Sequence, residues 1–185
     1  MKKNVFVATA FFAVLLSSCN STDYSSEISQ IDSLQNEVNG MEEKLKDFNG
    51  EAFSKYSRNA AEQLDWIKAK WPESDTMPRY VAAFLSDYKI NKKSLSTFAK
   101  TLDKTREELT YSDDQLTKLK ADLQHNLHTK EEAEKYLGEE KKAVETLTET
   151  SNKLVEDHDK YLNHYKGVNN RVDSLVDAMQ HNGIR

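Results

Sequence analysis

Five histidines, one cysteine and many carboxylates are the side chains of this sequence with the widest chemical repertoire. His125 and His128 stand three residues apart, close enough to meet on one helix face and begin a metal site. A zinc centre needs three or four ligands held by supporting hydrogen bonds, and Cys19 alone offers no cysteine cluster to complete one. A di-iron site in a helical bundle requires Glu-x-x-His pairs. The residues three before the histidines are Asp122, His125, Val155, Tyr161 and Ala178, so that motif is absent. His-Glu-x-x-His, Gly-x-Ser-x-Gly and a phosphate-cradling glycine loop are absent too. Glu107-Glu108 and Glu139-Glu140 have Lys104, Arg106, Lys141 and Lys142 nearby and read as solvated helix faces. His158, flanked by Tyr161 and Tyr165, reads as a partly buried histidine with a hydrogen-bond partner. No catalytic residue, cofactor site or metal site is expected.

Trp66, Trp71, Tyr80, Phe84, Tyr88 and Phe98 concentrate between residues 66 and 98. At helical spacing such a cluster is first of all core, anchoring a corner at Trp71-Pro72. Rings in surplus of the core, with Trp66, Trp71, Tyr80 and Phe84 as candidates, would form a patch for a partner protein or glycan.

The chain that must position these groups has 185 residues, 37% of them apolar and 31% charged, with only five Gly and two Pro. Scarce turn residues argue against a β-sandwich or barrel, and the thin apolar content favours an elongated helical assembly. Ile31, Leu34, Val38, Met41, Leu45 and Phe48 alternate steps of three and four, the seam of a helix that packs along its length. Asn49-Gly50 interrupts this pattern, which resumes at Phe53 and runs to Trp71, so the first helix is kinked or shifted in phase there. Pro72 closes it. Pro78, with Asp75 or Thr76 as cap, opens a second helix whose seam runs from Val81 to Leu109.

Ser112-Asp113-Asp114-Gln115 has the form of a capping box and predicts a short third helix through Leu127, with a sharp turn at His128. Thr129-Lys130-Glu131-Glu132 has the same form and predicts the start of the last helix. From Ala133 to Met179 the four-three alternation does not break, a helix longer than a compact domain of this size is wide. Four segments with short turns predict antiparallel neighbours, and an even number of passes would bring Leu175 and Met179 back beside Ile28 to Leu34. A seam this long can also pair with a copy of itself, so a homodimer through the last helix competes with that arrangement.

The N-terminal residues carry a separate signal. Lys2 and Lys3 precede a 12-residue, almost wholly apolar run from Val5 to Leu16, too short to span the ~30 Å hydrocarbon core of a bilayer. Leu16-Ser17-Ser18-Cys19 resembles the lipobox of bacterial lipoproteins. That resemblance implies cleavage before Cys19, diacylglycerol on its sulfur and a stable membrane anchor. Asn20, rather than Asp, follows the cysteine, which by the enterobacterial lipoprotein sorting rule implies the outer membrane. The lone Asp23, in place of an acidic run, implies its periplasmic side.

Residues 1–18 are thus expected as signal peptide, 19–27 as a flexible Ser-rich tether and 28–181 as the helical bundle. Loss of Lys2 and Lys3 from the 26 Lys and Arg, against 31 Asp and Glu, takes the net charge from −5 to −7. With Lys and Glu interspersed, such a chain lacks the basic face that nucleic acid requires. Asp32-Ser33-Leu34, Asp75-Thr76-Met77 and Asp173-Ser174-Leu175 resemble the O-glycosylation sequon of exported proteins in Bacteroidota, and Thr76 is the one expected in a turn. In overall pattern the chain also resembles the small helical lipoproteins of that phylum. The expectation is a lipid-anchored, non-catalytic rod that serves as a structural or protein-interaction module with a protein partner in the envelope. An accessory or chaperone-like subunit of an envelope complex, and a metal-binding helical protein using His125 and His128, are the alternatives.

Overall fold

The computed structural model describes residues 22–72 and 76–182. Its described residues form four α-helices: α1 (Ser25–Leu45), α2 (Gly50–Lys70), α3 (Arg79–Gln124) and α4 (Lys130–Asn182). The molecule is an elongated antiparallel bundle with a very long last helix, as the periodicity implies. Residues 1–21, including the apolar run and Cys19, lie outside the described residues.

Three passes are made, not four. The beginning of α1 lies beside the end of α3, where Asp32 pairs with Lys120, and beside the start of α4, where Glu27 pairs with Lys130. The far part of α2 lies beside the start of α3 and the end of α4, since Gln63 bonds both Tyr88 and Asp173. α1 and α2 therefore make the outward pass together, α3 returns along both, and α4 goes out again. Leu175 and Met179 sit at the end opposite Ile28 to Leu34, which overturns the even-pass expectation. At about 1.5 Å per residue the 46 residues of α3 and 53 of α4 run about 70 and 80 Å.

The short helix expected from Ser112 does not exist: Ser112 is an interior residue of α3, and 3% exposed. Its capping-box pattern goes unused because Leu109, Ser112, Leu116, Leu119 and Leu123 continue the buried edge of α3 without a change of step. Burial along the whole edge outweighs one local capping preference. The turn after α3 centres on Asn126, at φ 55°. The Asn126 N–H bonds the Leu123 carbonyl and the Leu127 N–H that of Asp122, the paired bonds of a Schellman motif. α4 then starts on the predicted box. Glu132 Oε2 accepts from the Thr129 N–H and hydroxyl, both at 2.9 Å, while the Glu132 N–H reaches Thr129 Oγ1 at 3.3 Å.

The fold begins earlier than the expected Ile28. Tyr24 is buried, its hydroxyl donates to the His128 carbonyl, and Asp23 Oδ1 accepts the Ser25 N–H at 2.9 Å. The last four residues of the segment read as tether therefore belong to the bundle. At the other corner, the Trp71 N–H bonds the Ile67 carbonyl at 2.8 Å and closes α2 before Pro72. Pro78 flanks the first turn of α3, which has no side-chain cap among the described residues; Thr76 does not serve as one, and Asp75 lies outside them.

The interruption at Asn49-Gly50 is a full break, and the seam slips there by one residue: steps of three and four from Leu45 lead to positions 48 and 52, whereas Phe53 is the buried residue. The Asn49 side chain caps α2 by accepting the Ala52 N–H at 2.9 Å. The orphaned carbonyls at the end of α1 are met from across the bundle. Arg106 of α3 places Nη2 against the carbonyls of Leu45, Lys46 and Phe48. Gly50 allows α2 to start hard against α3, because a Cβ there would come 3.1 Å from Asp103 Oδ1.

Arg106→Ala removes the donor for three carbonyls at the break and is expected to lower the unfolding free energy by about 1–3 kcal/mol in urea titration, with Arg106→Lys recovering only part.

Candidate functional site

The three passes concentrate polar side chains in one layer near the distal end, half-buried around a buried tyrosine. Tyr88 is fully buried, and its hydroxyl reaches Gln63 Oε1 at 2.6 Å and Asn169 Oδ1. Gln63 and Asn169 each donate in turn to the Asp173 carboxylate, at 2.6 and 2.7 Å. Burial pushes the ionisation of Tyr88 far above the ordinary tyrosine range, and burial raises that of Tyr165 as well. Tyr88 thus stays a neutral hydroxyl at physiological pH. The layer joins one residue of α2, one of α3 and two of α4, with the one Tyr88 proton shared between two amide oxygens, which suits it to fixing register rather than to proton transfer.

A second cluster fills the break between α1 and α2. The Phe48 ring stacks on His158 at 4.2 Å between centroids, Phe53 stacks on Phe98 at 4.2 Å, and Tyr161 meets Phe98 edge-on. His158 Nδ1 lies 2.8 Å from Asp159 Oδ1, the partnered and partly buried state expected of it. His125 and His128 do not share a helix face. α3 ends at Gln124, His125 is its exposed cap, and His128 lies in the turn with its ring edge toward Tyr136. His128 Nε2 stands 3.4 Å from Asp122. Among the described residues no group of three or more His, Cys, Asp and Glu could hold a metal ion, and no helix is long and apolar enough to cross a membrane.

Trp66, Trp71, Tyr80 and Phe84 all lie at the end of the rod where α2 gives way to α3. Trp66, Trp71 and Phe84 are half-buried and pack against the core, while Tyr80 is 73% exposed. Thr76 is exposed in the same connection, whereas Ser33 and Ser174 lie within helices. Cys19 lies outside the described residues.

One surface was not foreseen. Along the outer side of α2 and α3 runs an open groove of about 880 Å³ whose lining includes Arg58, Lys89, Lys92, Lys93 and Lys100, several Ser and Thr, and no carboxylate. None of these five cations takes part in a salt bridge among the described residues. The expected interspersion of Lys and Glu fails here. The signal was present in the chain: residues 88–102 contain three lysines within five positions and a fourth at 100, with no Asp or Glu.

Two carboxylates behave oppositely. The Lys130 ammonium, 2.6 Å from buried Glu27, holds the Glu27 carboxyl below its usual range. Glu140, read as a solvated face, is half-buried on the inner edge of α4, and burial, with Glu139 beside it, pushes its carboxyl up. No family model, curated protein or solved structure matches this chain.

A carboxyl raised in the folded state opposes folding when charged, and one that is lowered supports it above its unfolded pKa. Glu140→Gln is therefore expected to raise the thermal midpoint at pH 7, with the gain vanishing as pH falls and the native carboxyl protonates. Glu27→Gln should lower the midpoint at pH 7 and lose its effect on the same descent. Calorimetric scans from pH 7 to about pH 3 check both signs.

Proposed function

We propose that this chain is a membrane-anchored lipoprotein without a catalytic site, which holds a helical rod by one end as a structural or protein-interaction module of the cell envelope. The observation that carries the proposal is the three-pass topology. Tyr24, the first buried residue among those described, is fixed at one end of the rod by its bond to the His128 carbonyl. The α2–α3 corner and the last turns of α4 are at the other. An anchor on Cys19 would leave the corner that carries Trp66, Trp71, Tyr80 and Phe84 as the part farthest from the lipid.

Support also comes from the character of the polar layer around Tyr88. Tyr88, Gln63, Asn169 and Asp173 bond to one another across three helices, and the large groove is open to solvent. The lipid supplies membrane attachment; a protein supplies the partner. The outer membrane, with the rod on its periplasmic side, is the location this proposal assigns.

Cys19→Ala is expected to move the protein from the membrane pellet to the soluble fraction of lysed cells, and labelling with a clickable fatty acid should be lost with it. Retention of the variant in the pellet, or persistent label, would contradict the anchor.

A further inference from the structure

The outward face of α3 changes sign at the middle of the helix. Lys89, Lys93 and Lys100 occupy it in the first half, and Asp103, Glu107 and Asp114 occupy it in the second, all six exposed. The spacing within each set is the same, four residues and then seven, and the reversal between Lys100 and Asp103 falls at the midpoint of Arg79–Gln124. Nearer the midpoint than the exposed Tyr80 at the helix start, the basic half exposes Ile90 at 63%, and the acidic half exposes Tyr111 at 66%. Beside the basic half lies the open groove, where Ser54, Ser57 and Ala61 of α2 leave room for a further helix.

We propose that this face is a self-association surface. Two copies of the chain lie antiparallel about a two-fold axis near Thr101, each seating the acidic half of its α3 against the other's basic groove. Antiparallel pairing about that point sets Lys89 opposite Asp114 and Lys100 opposite Asp103 of the second copy. Lys93 falls between Glu107 and Asp114, and Ile90 comes within a turn of Tyr111. The contact is isologous, so every pairing occurs twice.

The spread of the cations selects this occupant. Lys89 and Lys100 are about 16 Å apart along the helix, too far for one small anion to meet them together, but matched by carboxylates repeating on another helix. No aromatic ring lines the groove on which a base or sugar could stack. Two exposed lysines, Lys104 and Lys118, lie in the acidic half; Lys104 is held 2.9 Å from Glu108 on its own helix, and Lys118 lies beyond Asp114, outside the span from Lys89 to Asp114 that pairs. The arrangement differs from pairing through α4, whose apolar edge is spent inside the bundle against α3 and α1.

Sedimentation equilibrium of the full-length chain in density-matched detergent tests the proposal. The native chain should show a monomer–dimer equilibrium, weakened about tenfold or more between roughly 0.05 and 0.5 M salt. The K89E/K93E and E107K/D114K variants should each be monomeric with unchanged circular dichroism. Mixed together, they should form a heterodimer, because one carries two acidic halves and the other two basic ones. A native chain that stays monomeric overturns the proposal. So does a dimer indifferent to both reversals, or a mixture of the two variants that fails to pair.

Discussion

Apolar side chains at alternating steps of three and four give α3 and α4 each one continuous edge, and closing those two edges against each other is the constraint the molecule is built around. An edge that continues for some 45 residues or more cannot be covered by a partner that stops halfway. α1 and α2 together supply the remaining length. Each side chain buried in this way contributes about 1.5–3 kcal/mol before ordering costs, and they act in sequence along the rod.

Polar groups inside the seam work against uniform sliding. Helices that meet only through Leu and Val can shift by a heptad at modest cost. The Tyr88 layer and the Glu27–Lys130 pair have partners at one register alone. They lie toward opposite ends of the rod, and between them Arg106 closes the one place where the outward pass changes phase. Ser112 and Ser151 contribute no such bond: their buried hydroxyls have no partner, and small volume is what suits them to a crowded edge.

How much of this could be read from the chain differed by feature. The helical class, an interruption of the seam near Gly50 and the start of α4 at Thr129 were all legible, because each depends on residues within a few positions of one another, whereas the pattern left a kink, a shift of phase and the observed full break undistinguished. The Ser112 box misled because its pattern is equally local, yet the burial that overrides it comes from α1 and α4, far away in sequence. That single helix, counted or not, decides whether the passes are even or odd, and so at which end Met179 lies. Arg106 was unreadable for a related reason: nothing about an arginine in an exposed-looking stretch announces that it will reach carbonyls 58 to 61 positions earlier. The basic groove was legible in the Lys89–Lys100 stretch, but only when charge is counted by helix face instead of over the whole chain.

The three-pass topology is tested most directly by the distance between the two ends of the described chain. With spin labels at the exposed positions Ser26 and Gln180 in a Cys19→Ala background, diluted with unlabelled protein, pulsed dipolar spectroscopy should report about 75 Å, the rise of the 50 residues of α4 that separate their levels. A distance below about 30 Å would bring the last helix back beside the first and contradict the topology on which the register, the distal corner and the orientation of the rod all rest.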